Sequence, residues 1–298
     1  MIGKKKVSSS QIILHIFFII TCCCFVFPML LVVSVSFSSE ASVTTGAGFQ
    51  LIPEEFSLDA YKMAFRNPAS IIKGYIITIA QAVLGTFSSC IICGMIAYPL
   101  SRSNFRFKKI VTTFLLITML FGGGTIPTYI VYTKYYHLGN NFLIYVLPGL
   151  AGGAWNTFMF RTFFKSIPES LFESARIDGA KELDCYFRIA IPLSMPVYAS
   201  LGFMTLVAKW NDYMTSMIYI RDPDLYTVQY LLQRTLNEVE FLKSLTTSEI
   251  GINMGKTVLP AETMKYALCV ICAGPMLFVF PFFQKYFSRG LTVGSVKG

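Results

Sequence analysis

Six stretches of this sequence are nearly free of charge and close to the ~20 apolar residues that cross a hydrocarbon core. They run from roughly 12 to 36, 71 to 99, 110 to 132, 142 to 163, 197 to 220 and 264 to 287. Only 14% of the 298 residues are charged, against about 25% in soluble domains, while 54% are hydrophobic. The expectation is an all-α integral membrane protein with six transmembrane helices in a single domain spanning 1–298. Lys4 to Lys6 ahead of the first window also fit a signal peptide, but that window is long and lacks a convincing small-residue cleavage site. It is read as a span.

Basic residues set the orientation. With the N-terminus inside, the inner segments hold 15 of the 25 lysines and arginines, in short dense loops such as Arg102, Arg106, Lys108 and Lys109. The outer segments, 37–70 and 221–262, spread theirs thinly, as the positive-inside rule expects, and both termini fall in the cytoplasm. The net charge of +9 then needs only orientation and anionic lipid headgroups, not nucleic acid.

All five inner acidic residues, Glu169, Glu173, Asp178, Glu182 and Asp184, lie in one proline-bracketed stretch, 166–192, between the fourth and fifth windows. Ser166, Pro168 and Glu169 read as a helix start in which the serine caps free N–H groups. Leu171, Phe172 and Ala175 would form an apolar face, with Glu169, Glu173 and Arg176 along another. Gly179 after Asp178 supplies the left-handed residue that ends a helix. A second helix would carry Leu183, Phe187 and Ile191 on one stripe and pair Asp184 with Arg188, before Pro192 and Pro196 interrupt it.

The pattern Glu173-Ser174-Ala175, Gly179, Ile189 and Ile191-Pro192 resembles the cytoplasmic motif of bacterial ATP-binding-cassette importer permeases, with every spacing intact. Ser174 and Ile191 depart from the family's alanine and leucine. The run from Glu173 through Asp178 to Ala180 and the tail 290–298 resemble the carbohydrate-uptake branch, with its maltose-type and complex-oligosaccharide permeases. The resemblance implies a non-catalytic subunit of the bacterial cytoplasmic membrane that works beside a second, homologous permease and two ATPase subunits. ATP and Mg would be bound by those partners, and an extracytoplasmic solute-binding protein would deliver the carbohydrate. Glu173, Ser174, Ala175, Asp178, Gly179, Ala180, Ile189 and Pro192 would form the ATPase-coupling hairpin.

The fifth window carries Lys209-Trp210-Asn211-Asp212-Tyr213, ionisable groups that demand a partner or an aqueous cavity at that depth. Trp210-Asn211 also resembles the family pattern, which implies a place on the translocation pathway; a buried Lys209–Asp212 ion pair is the alternative. Trp155, Asn156, Tyr129 and Tyr132 are weaker pathway candidates, equally explained by packing or interfacial anchoring. Gly122, Gly123, Gly124 and Pro127 interrupt the third window, either as a bend near the pathway or as a close helix contact.

Residues 56–65 are expected to form a short interfacial helix capped by Ser57, or else a surface loop. The polar segment 221–262 exceeds the usual loop length, which favours a binding role over disorder or a simple tether, and the resemblance implies that it contacts the binding protein; by the same resemblance the tail from Ser288 reaches the ATPase subunits, or else it frays. Gly251 to Thr257 mimics a phosphate loop but is one residue short and follows no strand. No nucleophile, base and orienting acid are grouped, so no enzyme is expected. The eight cysteines sit in spans or in the hairpin, which argues packing over disulfide or metal chemistry; His15 and His137 are far apart. A secondary transporter would show duplicated halves, which the chain lacks, and a membrane scaffold would need no pathway. Which saccharide is carried, its length and its charge are not legible.

Overall fold

A computed structural model describes residues 9–46, 48–150, 153–247 and 261–293. Lys4 to Lys6, Gly251 to Thr257 and the last five residues of the tail lie outside the described residues. The chain divides into two compact units, 1–68 with 234–274 and 69–233 with 275–298.

In the first unit, α1 (Ser9–Ser36) is a single apolar helix whose large side chains, such as Phe17 and Phe25, are mostly exposed. Lipid is the solvent that tolerates such a surface. Phe37 then stacks between Phe56 and Tyr61, with ring centroids 5.7 and 5.0 Å away. Next come α2 (Glu40–Thr44) and the expected short helix after residue 56, α3 (Asp59–Ala64), where Ser57 Oγ accepts from the Asp59 amide at 3.1 Å.

The second unit starts with the long helix α4 (Pro68–Ser101). After it, α5 (Lys108–Leu120) stops at the glycine triplet, and α6 (Thr125–Ile130), continued by a π-helical turn to Tyr135, leaves at 112°. The predicted interruption is thus a sharp break. A 3₁₀ turn (Phe142–Tyr145) and α7 (Leu147–Leu150) precede α8 (Ala154–Lys165).

The hairpin follows as α9 (Glu169–Ile177), α10 (Glu182–Asp184), a π-helical stretch Cys185–Ala190, and α11 (Ile191–Leu193). The chain bends by 80° at Ser194 into α12 (Met195–Trp210). The fifth window is therefore not one helix to residue 220: it stops at Trp210 and resumes as α13 (Met214–Tyr219), leaving 211–213 as a break. Then come α14 (Val228–Thr247), within the polar segment 221–262, and α15 (Ala261–Val293).

By length and composition, α1, α4 and the 261–284 part of α15 are long and apolar enough to cross a membrane. Up to six crossings result if each of three bent pairs counts as one span. The hairpin sits on the main core of the second unit, where Phe172, Cys185, Tyr186 and Ala190 pack against Cys93, Ala97 and Tyr98 of α4 and Phe160 and Phe164 of α8.

Candidate functional site

Residues 166–192 fold as a two-armed hairpin whose turn is set by backbone chemistry. Asp178 ends α9, Gly179 takes φ +84°, the Gly179 amide donates to Arg176 O at 3.0 Å, and the Ala180 amide donates to Ala175 O at 2.9 Å. This pair of reversed bonds is the Schellman closure, which a Cβ at Gly179 would strain. The start of the hairpin differs from expectation. Ser166 does not cap α9; its hydroxyl donates back to Phe163 O at 2.6 Å and so serves the end of α8. The extended Pro168 precedes α9 in the cap position, and since its ring carries no acceptor the first turn has no side-chain cap.

Only part of the predicted apolar face is inward. Phe172 is buried and Ala175 half-buried, while Leu171, next to Phe172 on the helix, points away and is exposed. Glu173, Ser174, Ile177 and Asp178 are exposed with Leu171, so the tip presents apolar and acidic groups together. Arg176 bonds Glu182 at 2.9 Å and Glu169 at 3.3 Å, not Glu173. In the second arm, Asp184 meets Arg188 at 3.6 Å as expected, and its carboxylate also accepts from the Lys181 amide at 3.2 Å. Leu183 and Phe187 of the predicted stripe are exposed, whereas Ile189 and Ile191 pack against the core.

Sequence reasoning missed the residue that seats the hairpin. Arg102, at the end of α4, is 7% exposed. Its Nη1 donates to Glu169 Oε2 at 2.7 Å, Nη2 to Phe164 O at 2.9 Å and Nε to Ser101 Oγ at 3.1 Å, while its carbon lies 3.9 Å from the Phe172 ring centroid. Such a planar fork satisfies three acceptors and an aromatic face at once. Read as one of several loop cations, it carried no signal of this role.

The fifth-window residues do not form the Lys209–Asp212 ion pair that stood as the alternative. Lys209 Nζ donates to Tyr145 O at 2.8 Å, and the Asp212 carboxylate accepts from the Thr215 amide and hydroxyl at 3.0 and 2.6 Å, opening α13. Gln81 Nε2 of α4 donates to Lys209 O at 2.7 Å. Trp210 is buried, its ring 6.3 Å from Tyr75, while Asn211 and Tyr213 are exposed. Of the weaker candidates, Trp155 is exposed and Asn156 Nδ2 donates to Thr205 Oγ1 at 3.4 Å. Tyr129 and Tyr132 gather instead around Tyr219, at 5.7 and 5.9 Å. Tyr132 also lines a cavity of about 540 Å³ with Tyr136, Leu138, Leu147 and Pro148. No three His, Cys, Asp or Glu residues converge as a metal site among the described residues.

These features define an all-helical membrane protein with broken apolar helices and a two-armed hairpin locked onto the end of one long helix. Residues 90–293 match the family described as "Binding-protein-dependent transport system inner membrane component", and the chain belongs to that family. It is 35% identical over 273 residues to Protein LplC of Bacillus subtilis, covering 92% of this chain and 90% of that one. It is 36% identical over 273 residues to the polygalacturonan/rhamnogalacturonan transport system permease protein YtcP of Bacillus subtilis, covering 92% and 93%. Among solved structures, a bacterial ABC transporter involved in the import of the acidic polysaccharide alginate matches with a TM-score of 0.76 and 29% identity, over 95% of this chain and all of that one.

Proposed function

We propose that this chain is the permease subunit of an ATP-binding-cassette carbohydrate importer, itself non-catalytic, in the bacterial cytoplasmic membrane. Residues 1–298 act as a single transmembrane domain of six spans, three continuous and three bent, with both termini in the cytoplasm. It works beside a second, homologous permease and two ATPase subunits, and substrate arrives on an extracytoplasmic binding protein that meets 37–70 and 221–262. The observation that carries this reading is the Schellman-closed hairpin with an exposed tip at Glu173 to Gly179. A stiff, protruding element of this kind can be gripped by a soluble subunit, so that ATP-driven closure biases inward-facing and outward-facing states.

Substrate passes the break between α12 and α13, where Asn211 and Tyr213 offer an amide and an aromatic face suited to sugar hydroxyls and ring surfaces. Trp210 and Lys209 stand behind them as support. The substrate class is an oligosaccharide rich in uronic acids, a reading supported by the names of the polygalacturonan/rhamnogalacturonan permease and the importer of the acidic polysaccharide alginate that the chain resembles. The test is to copurify the complex, reconstitute it with its binding protein, and compare ATP hydrolysis with uronate and neutral oligosaccharides. Stimulation by oligouronates supports the assignment; stimulation by neutral glycans alone contradicts the acidic class, and none by any glycan contradicts carbohydrate import.

A further inference from the structure

The hairpin is covalently continuous with α12, which makes α12 the obvious carrier of any movement toward the pathway. That route is irregular: it runs through a π-helical stretch, a three-residue helix and the 80° bend at Ser194. A second route is non-covalent and bypasses that irregular stretch. Arg102 holds Glu169 of the first arm at 2.7 Å, Glu169 holds Arg176 at 3.3 Å, and Arg176 holds Glu182 of the second arm at 2.9 Å. The Tyr98 hydroxyl closes the circuit by donating to Glu182 Oε2 at 3.0 Å. Tyr98, in the last turn of α4, and Arg102, just past its end, are four residues apart, so a ring of charge-assisted bonds begins and ends at that end of the helix and ties down both arms.

About 30 Å further along the same helix, at 1.5 Å per residue, lies Gln81. It is fully buried and donates to the Lys209 carbonyl at 2.7 Å, beside the break in α12–α13. One turn and a half beyond it, Tyr75 meets Trp210. Thus α4 is fixed to the hairpin at one end and to the candidate pathway at the other.

Resting on the transport function proposed above, we infer that α4 is the rod that carries the hairpin's displacement to the pathway, with Arg102 and Gln81 as positioning residues at its two ends. Arg102 touches no substrate and acts by seating Glu169. Gln81 acts by holding the Lys209 backbone.

The test is a double-mutant cycle in the reconstituted complex, reading substrate taken up per ATP hydrolysed for Arg102→Met, Gln81→Leu and the pair. Each single change is expected to lower that ratio about tenfold, within the range of measured site-to-site couplings, and the pair to lower it no further. Sites so far apart ordinarily act independently, and a purely structural role would make the two effects multiply. Arg102→Lys, which keeps the charge but not the fork, should fall between wild type and Arg102→Met. If Arg102→Met does not assemble, Tyr98→Phe with Glu182→Gln opens the ring without emptying the buried cation site and takes its place. An unaltered uptake per ATP in either single variant, or multiplying effects in the pair, overturns the rod. A wild-type complex without ATP-driven uptake overturns the transport function, and the rod with it. The two failures are distinguished because the wild type is read first.

Discussion

The Glu40 carboxylate sits over the start of α15, accepting from the Glu262 amide, the Thr263 amide and the Thr263 hydroxyl, all at 2.9 Å. A residue 222 positions away in sequence thereby supplies an anionic cap to this helix end. Glu40→Ala should destabilise that end by about 1–2 kcal/mol, and Glu40→Gln by less, because the amide oxygen still accepts. Amide exchange at 261–265 reads the difference directly. Equal protection in wild type and Glu40→Ala would show that the carboxylate is dispensable.

Gly94 is a point of contact rather than of flexibility. A Cβ there would run into the Tyr198 hydroxyl and lie 2.6 Å from the Tyr186 hydroxyl, two groups that are themselves hydrogen-bonded at 2.8 Å. Gly94→Ala should cost about 1–3 kcal/mol of overpacking and lower the melting temperature in detergent. Adding Tyr198→Phe should recover part of the loss by removing the clashing oxygen. A double variant less stable than Gly94→Ala alone would rule this explanation out.

The pathway candidates separate by burial. Trp210→Ala empties a packed position and should lower thermal stability as well as uptake. Asn211→Ala and Tyr213→Ala act on exposed side chains, so they should weaken uptake of substrate while leaving the melting temperature nearly unchanged. Uptake measured at several substrate concentrations beside a melting curve distinguishes the two groups; matching losses of stability in all three would contradict the assignment.

The short helix α3 should respond to acid. Its Asp59 carboxyl is held below the ordinary carboxylate range by the hydrogen bond from Lys62, then by that from Ser57 and the Lys62 charge. Because the folded group releases its proton more readily than the unfolded one, the stabilisation is present above the unfolded pKa and fades as pH falls through the folded one. Amide exchange in 59–64 should therefore show less protection in mild acid, once corrected for the intrinsic pH dependence of exchange. Asp59→Asn should remove the dependence.

What was legible in the sequence was local. The turn at Gly179, the Asp184–Arg188 pair and the break at Gly122 to Gly124 follow from spacing and from residues with few backbone options. What was hidden was the choice among distant partners. Arg176 had Glu173 three residues away but takes Glu182 and Glu169, because the turn swings the second arm beside it. Lys209 had Asp212 within one turn, but α12 ends between them, so each finds another partner. Arg102 could not be told from its neighbours in a basic loop, since its burial depends on helices that begin more than fifty residues later.

Coupling requires the hairpin to act as a rigid bent lever, and Gly179→Val tests that with one substitution. A β-branched residue at φ +84° costs about 1–2 kcal/mol, enough to favour a different turn without unfolding the spans. The decisive measurement is ATP-dependent uptake by membranes containing the complete importer, with immunoblotting to verify that equal amounts of the chain are inserted. Wild type should accumulate substrate and Gly179→Val should not. Uptake by Gly179→Val at the wild-type rate would contradict the account.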